Sequence, residues 1–119
     1  MHQRFRPISE EIKKLINKKS IGEIYYINIV HRKFRSIPTH SKVFSIKKSS
    51  GGGPLIELGT HYFDLVFWLL DFPKIKNFSC NLFSNVFSKK KMKKFLPFKK
   101  FENEECAVGN IKLHKDILI

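Results

Sequence analysis

The stretch GGGPLIELGTHYFDLVFWLL, residues 51–70, decides the fold. Glycines and a proline open it, and most of the residues that follow are apolar. Proline suits the first helical turn, where its missing N–H is not needed. The apolar run is typical of a helix that is buried on most sides, and Pro73 ends it because proline cannot continue a helix. The sequence therefore predicts a glycine loop followed by a buried helix over residues 55–70.

Three ionisable side chains break the apolar run, and they share one face of the predicted helix with a tryptophan. In order, at i, i+4, i+7 and i+11, they are Glu57, His61, Asp64 and Trp68. This spacing aligns residues along one side of an α-helix. A carboxylate can orient an imidazole while the free ring nitrogen exchanges a proton near neutral pH. The stripe predicts a proton-transfer site; the alternative is a core histidine with an aspartate bonded to nearby backbone.

Glycines accompany this stripe. Gly59 lies inside the predicted helix, where glycine costs about 1 kcal/mol relative to alanine. The others are Gly51, Gly52 and Gly53. Positions without a side chain let a ligand or another backbone approach closely. They form no dinucleotide fingerprint, because no G-x-G-x-x-G follows a strand. No metal site is expected either, because Glu57 and His61 have no third ligand at helical spacing.

Residues 9–19 have the pattern of an amphipathic helix. Ser9 is a typical N-cap, and acidic residues follow it in the first turn, where the helix dipole favours negative charge. Lys13 and Lys14 fall on the polar side of the pattern and are expected to point outward. Gly22 is placed to end the helix, because glycine accepts the left-handed conformation found after helix C-termini.

Strand signals occupy much of the remaining chain. Residues 23–33 are rich in tyrosine, isoleucine and valine, and residues 76–87 and 105–119 contain alternating apolar positions. Residues 34–50 and the lysine-rich residues 88–101 are predicted connections. Helices and strands in this order predict an α+β fold rather than a nucleotide-binding βαβ arrangement.

The charge of the chain is strongly positive. Its 119 residues suit one domain with a modest core, and they carry 23 basic and 10 acidic side chains, a net charge of +13. Lysine outnumbers arginine, whereas proteins that read nucleic acids favour arginine. The charge is therefore expected to be a solvated surface. The alternative is a small basic nucleic-acid-binding protein built around the lysine run at residues 88–95.

The cysteines and the longest apolar stretch indicate in which cellular compartment the protein is expected. Cys80 and Cys106 lie far apart, with neither metal-type spacing nor the density of a disulfide framework. We therefore expect reduced cysteines and a cytoplasmic protein. The longest apolar stretch contains carboxylates and a histidine, so no membrane span is expected.

The glycine loop, Glu57, His61 four residues later and Asp64 three beyond resemble the Gfo/Idh/MocA family of NAD(P)-dependent oxidoreductases. Weaker similarities surround this motif in the family's order, at residues 3–7, residues 21–25, Pro73 and residues 104–113. The resemblance covers most of the chain. It implies an open, mostly antiparallel sheet with helices packed on one face.

This resemblance implies roles for individual residues. His61 would be the proton donor or acceptor at a substrate hydroxyl or carbonyl, with Glu57 where the family usually has aspartate. Asp64 and Trp68 would support the helix. The residues near substrate or cofactor would be Gly51, Gly52, Gly53 and Gly59. The parent enzyme would transfer hydride between NAD or NADP and a sugar, polyol or related substrate.

The family's Rossmann domain has no counterpart in this sequence, which lacks both the glycine fingerprint and the Glu-Lys-Pro motif. Residues 1–119 are therefore expected to be one partial substrate and oligomerisation domain, with no dinucleotide-binding domain. The resemblance implies a fragment that is inactive alone, binds no cofactor alone, and can form a homo-oligomer through its open sheet. The alternative is a non-catalytic remnant of a decayed gene.

Overall fold

The computed structural model describes residues 1–32, 42–84 and 101–119. Its helices and strands are α1 (Pro7–Asn17), the single turn α2 (Lys47–Ser50), α3 (Thr60–Leu69), β1 (Ile75–Phe83) and β2 (Cys106–Leu113). A π-helical turn, Leu55–Gly59, directly precedes α3. Short 3₁₀ turns lie at His2–Phe5, Lys42–Ser45 and His114–Asp116. Helices with an open two-stranded sheet confirm the predicted α+β class.

The chain divides into two compact units. The first unit comprises Met1–Val30, Thr60–Ser79 and Gly109–Ile119, and the second comprises His31–Gly59 and Cys80–Val108. The chain passes from the second unit to the first between the π turn and α3. Helix α1 packs against α3 within the first unit.

The first helix begins earlier than its capping pattern predicted. Pro7 is the first residue of α1, and Arg6 occupies the N-cap position without a side-chain cap. Ser9 is buried in the first turn, and its N–H donates to the Arg6 carbonyl over 2.8 Å. The predicted Ser9 cap is therefore wrong. The reason is that proline's fixed φ and missing N–H already suit the first helical position.

The C-terminal end of α1 also differs from the prediction. The Ser20 N–H donates to the Leu15 carbonyl and the Lys19 N–H to the Ile16 carbonyl, at 3.0 and 2.9 Å. These two bonds form a Schellman motif, which requires a left-handed residue. Lys19 takes that conformation with φ of 54°. The helix therefore ends before Gly22, and the predicted glycine stop is wrong.

Strands β1 and β2 are antiparallel. At one end the Glu105 N–H donates to the Phe83 carbonyl, and at the other the His114 N–H donates to the Lys74 carbonyl. Strand β1 matches the predicted strand as far as Phe83, and residues 85–87 of that prediction lie outside the described residues. The fold of this region was therefore predictable from alternation alone.

The last predicted strand is interrupted. Strand β2 ends at Leu113, and Lys115 and Asp116 then take positive φ values of 73° and 54° in a tight turn. The turn folds the chain back, so the Leu113 N–H donates to the Ile117 carbonyl over 2.9 Å. A single strand over residues 105–119 was therefore wrong, because left-handed backbone cannot continue an extended segment.

Residues 23–32 do not form the predicted strand; Lys33, its last residue, lies outside the described part. A single parallel bridge joins Tyr26 to Leu118. Its hydrogen bonds run from the Ile27 N–H to the Leu118 carbonyl and from the Leu118 N–H to the Tyr25 carbonyl. Tyrosine, isoleucine and valine favour strands only where they pair and pack. One bridge is too little pairing for a strand.

The apolar helix is less buried than its composition predicted. Within α3, Val66 is the buried residue, and most of its neighbours are half-buried. Leu113 and Ile117 are also buried in the first unit. An apolar side chain is not obliged to be inside, because proteins lack enough polar surface to cover themselves. The prediction of a helix buried on most sides is therefore wrong.

Candidate functional site

The predicted stripe is divided by a change of helix type. Glu57 lies in the π turn that Gly59 ends, and His61 lies in the first turn of α3. A π turn holds more residues than an α turn, so spacing of four residues does not define one helix face here. The Glu57 N–H donates to the Gly53 carbonyl over 3.0 Å, whereas its side chain is exposed and makes no hydrogen bond within the described residues. The catalytic role of Glu57 stays a prediction.

His61 is half-buried and has one enclosed ring nitrogen. Its Nδ1 has no hydrogen-bond partner in the described part of the chain. The imidazole rings of His61 and His2 pack edge to face, with their centroids 5.6 Å apart and their planes at 61°. A buried ring nitrogen without a partner costs free energy, so such atoms are uncommon and often mark functional sites. This geometry leaves His61 with unused hydrogen-bonding capacity.

Asp64 is tied to the N-terminal 3₁₀ turn. The Arg4 guanidinium donates to both carboxylate oxygens, from Nε to Oδ2 over 2.7 Å and from Nη2 to Oδ1. The Met1 amino group lies 3.3 Å from Oδ2, and the guanidinium also lies over the Phe72 ring, 5.1 Å from its centroid. Sequence reasoning missed Arg4, because no local spacing connects residues 60 positions apart.

The Arg4 contact sets the protonation of Asp64. Hydrogen bonds from Arg4 hold the pKa of the Asp64 carboxyl below its usual value, the Met1 amino group acts in the same direction, and partial burial opposes both. The charged carboxylate is therefore the form that the folded chain stabilises. These contacts favour the structural role that the resemblance implied for Asp64.

Asp64 should make folding sensitive to acid. Because its folded pKa lies below the unfolded value of about 3.9, its contribution is present above that pH and is lost as pH falls through the folded pKa. We expect Asp64→Asn to unfold at lower urea concentration at neutral pH and to lose less stability on acidification. Urea midpoints between neutral pH and pH of about 3 measure this. If the urea midpoints of Asp64→Asn and the parent fell by the same amount on acidification, the expectation would be wrong. Glu11→Gln, at an exposed site, is the control.

Trp68 lies where α1 meets the end of α3. The Lys13 ammonium donates to the Trp68 and Leu69 carbonyls over 3.0 and 2.9 Å. It also lies 5.8 Å from the centroid of the Trp68 ring and 2.7 Å from Asp71 Oδ1. Lys13 therefore does not point outward as predicted. A cation beside helix-terminal carbonyls is stabilised by their partial negative charge.

The end of α3 follows the prediction. Asp71 and Phe72 take positive φ values of 60° and 52°, and the Phe72 N–H donates to the Phe67 carbonyl over 2.7 Å. Pro73 follows directly. The left-handed pair closes the helix, and the proline prevents its continuation.

The glycine loop is packed against the chain's own residues. A Cβ at Gly53 would overlap the Glu104 carbonyl oxygen and lie 3.0 Å from Glu104 Cδ. A Cβ at Gly52 would lie 2.8 Å from Ile56 Cγ1. Gly51 has a φ of 78° and ends α2. Sequence reasoning anticipated a close approach here but missed Glu104, the residue that makes it.

Asn103 anchors the segment that carries Glu104. Its Nδ2 donates to the Phe44 carbonyl over 2.7 Å and to Ser50 Oγ over 2.8 Å. Its own carbonyl accepts from Ser84 Oγ over 3.3 Å. Asn103 is 1% exposed. The hydrogen bonds of the Asn103 side chain and main chain therefore fix the backbone beside Glu104, which faces the glycine loop within the second unit.

Residues 1–32, 42–84 and 101–119 contain two free cysteines but neither a metal-type cluster nor a membrane-spanning helix. No group of histidine, cysteine and carboxylate side chains there is arranged to hold a metal ion. None of the helices in these ranges is long and apolar enough to cross a membrane. Cys80 and Cys106 are free and exposed. The lysine run at residues 88–95, on which the nucleic-acid alternative rests, lies outside the described residues.

The sequence matches one protein family over most of its length. A family model described as "GFO/IDH/MocA C-terminal domain" matches residues 9–117. The chain is 27% identical over 115 residues to the D-glucoside 3-dehydrogenase of Escherichia coli (strain K12), covering 95% of this chain and 32% of that protein. The chain thus spans about a third of the length of this relative.

Solved structures share the fold. An NAD-binding protein from Listeria innocua matches with a TM-score of 0.70 and 23% identity, over 98% of this chain and 29% of that one. GenD2 from gentamicin A biosynthesis, solved in complex with NAD, matches with a TM-score of 0.67 and 16% identity, over 97% and 29%. At these identities the likeness establishes the fold alone.

Proposed function

Because the chain belongs to the GFO/IDH/MocA C-terminal domain family, we propose that it forms the substrate side of an oxidoreductase acting on a sugar, polyol or related hydroxy or keto substrate. The observation that supports this proposal most directly is His61, a half-buried histidine whose enclosed nitrogen has no partner among the described residues. The E. coli relative, named as a D-glucoside 3-dehydrogenase, supports a sugar as the substrate class.

In this proposal His61 moves the proton. Oxidation of a secondary alcohol requires a base to take the hydroxyl proton, and the reverse reaction requires an acid to return it. Nδ1 is enclosed, so Nε2 is the nitrogen that we assign to this exchange. Asp64 and Arg4 hold the 3₁₀ turn that carries His2 against the His61 ring. They position the imidazole and take no proton themselves.

The residues of this chain do not fit a nicotinamide dinucleotide. The sequence has no G-x-G-x-x-G after a strand, and the space beside Gly52 and Gly53 is taken by Ile56 and Glu104. We therefore propose that NAD or NADP is held by a dinucleotide-binding domain outside these 119 residues, and that this chain alone is inactive. The cofactor class is supported by GenD2, solved in complex with NAD, and by the Listeria innocua protein, which is named as NAD-binding.

A homo-oligomer through the open sheet is part of the same proposal. Strand β1 is exposed along its whole length, and Phe78 on it is 74% exposed. Large exposed apolar side chains on a sheet commonly mark an interface. Cys80 and Cys106, free and exposed, support the proposed cytoplasmic location because reducing compartments keep such thiols unpaired.

Titration of the labelled chain with methyl β-D-glucopyranoside tests the proposal. We expect the backbone amide signals near His61 to move, and His61→Asn to weaken that response while His114→Asn, an exposed histidine, leaves it unchanged. With NAD⁺ and the glucoside we expect no NADH from the chain alone. The proposal fails if no amide near His61 moves at about 100 mM glucoside, far above a dissociation constant of about 1 mM. Sustained NADH formation would contradict the assignment of the cofactor to another domain.

A further inference from the structure

Helix α1 exposes its apolar side chains and turns polar ones inward. Ile8, Ile12 and Leu15 recur at i, i+4 and i+7, which places them on one side of the helix, and they are 64%, 37% and 37% exposed. The positions that face the rest of the first unit are polar, because Ser9 is 5% exposed and the Lys13 side chain 14%. The three apolar residues, called the α1 stripe below, therefore lie beside the face that packs against α3.

The α1 stripe has the spacing of a helix-pairing surface. Steps of four and then three residues are those of a coiled-coil seam, whose side chains fit between those of a second helix. The stripe is not needed to hold α1 in place, since Lys13 already joins α1 to the carbonyls at the end of α3. Exposed apolar side chains grouped on one surface commonly mark a contact with a partner. The partner that fits this stripe is therefore another helix.

The charges along the solvent side of the stripe identify which helix fits. Glu11 and Lys18 lie seven residues apart, so they occupy the same side of α1, about 100° around the helix from the stripe. Glu11 is held only by an exposed ion pair with Lys14 at 3.3 Å, which is worth little. An antiparallel second copy would bring Glu11 of each chain beside Lys18 of the partner subunit. A parallel copy would instead place the acidic ends of the two helices together.

We propose that two copies of this chain associate through their α1 stripes in an antiparallel contact with two-fold symmetry. Ile12 of each copy packs against Leu15 of the partner subunit, and the Glu11–Lys18 pair forms twice, because a two-fold contact uses the same surface on both copies. The contact is small, and the net charge of +13 opposes association, so the dissociation constant is on the order of 0.1–1 mM. This contact differs from the open sheet and does not depend on the proposed function.

Sedimentation velocity of the 119-residue chain, at concentrations up to about 1 mM and ionic strength of about 0.15 M, tests this contact. Glu11→Lys and Lys18→Glu each place like charges together twice, so we expect either change to weaken association about fivefold or more. The double variant reverses both charges and should associate as the parent does. Ile12→Ser should also weaken association, because it removes an apolar side chain from the centre of the stripe. Glu10→Lys, on the far side of α1, is the matched control and should leave association unchanged.

Restored association in the double variant is the result that supports the antiparallel contact. If both single reversals weaken association and the double variant does not restore it, the pairing of Glu11 with Lys18 is wrong and the inference fails. It also fails if the parent stays monomeric at about 1 mM, since something other than a second copy then covers the stripe. If Phe78→Ser abolishes association and the α1 variants leave it unchanged, the open sheet is the interface and the stripe is not. Should Ile12→Ser melt early, the charge variants at exposed positions decide the outcome.

Discussion

Gly53→Ala should be among the most damaging single-methyl changes in this chain, lowering the free energy of unfolding by about 3 kcal/mol. The added Cβ would overlap the Glu104 carbonyl oxygen. That oxygen belongs to the main chain, so no side-chain rotation relieves the collision. Asn103 holds the neighbouring position through two hydrogen bonds, which prevents the segment from moving away cheaply. Urea denaturation followed by circular dichroism measures the loss.

Gly51→Ala is the matched control, two positions earlier in the same loop. Its Cβ would meet Ile56 Cγ2 at an ordinary 3.8 Å, and its φ of 78° is the remaining source of strain. A left-handed alanine costs about 1–2 kcal/mol. We therefore expect Gly51→Ala to lose clearly less stability than Gly53→Ala. Equal losses would mean that the collision with Glu104 is relieved and that the loop requires glycine for its backbone conformation alone.

The glycine loop shows which structural features the sequence predicts and which it does not. The run of glycines before an apolar stretch located the loop and the start of the helical region, and Pro73 located the end of α3. These are local effects of backbone freedom and of a missing N–H. The contact with Glu104 depends on tertiary structure, which a local pattern does not contain. The position of the loop was therefore predictable, whereas the tertiary contact that requires glycine there was not.

The errors in the helices and strands have the same origin. Residues 23–32 have high β-propensity, but they form one bridge to Leu118 because pairing depends on a partner from elsewhere in the chain. The π turn at Leu55–Gly59 replaced an α turn that the apolar run and the i, i+4 spacing favoured. Such turns are rare and often occur at functional sites.

The candidate site was predictable in its residues more than in its contacts. His61 and Asp64 were selected because ionisable groups in an apolar helix need an explanation. Asp64 is indeed paired, but its partner is Arg4 rather than a neighbour on the helix. His61 meets His2, which no spacing rule connects to it. Partners that are distant in sequence become visible only when the first unit has folded.

Lys13→Met should lower the free energy of unfolding by about 2 kcal/mol, the second large effect that we expect. The Lys13 side chain is 14% exposed, and its ammonium donates to the Trp68 and Leu69 carbonyls at the end of α3. The Leu69 carbonyl lies in the last turn, where the helix supplies no further N–H, and the Trp68 carbonyl also accepts from the Asp71 N–H over 3.2 Å. Methionine keeps most of the apolar stem against Trp68, so the loss reports the hydrogen bonds rather than packing. Urea midpoints at neutral pH measure it.

Two variants determine whether the carbonyl contacts are the source of that loss. Lys14→Met removes the same charge from the next position, where the side chain is 63% exposed and pairs with Glu11, and should change stability by less than about 0.5 kcal/mol. Asp71→Asn removes the ion pair of Lys13 with a side chain that is 78% exposed. It should also have a small effect, because solvent screens exposed pairs. If Asp71→Asn were as damaging as Lys13→Met, the ion pair would be the main contribution. If Lys14→Met were equally damaging, general loss of positive charge would explain both results, and the link from α1 to the end of α3 would lose its support.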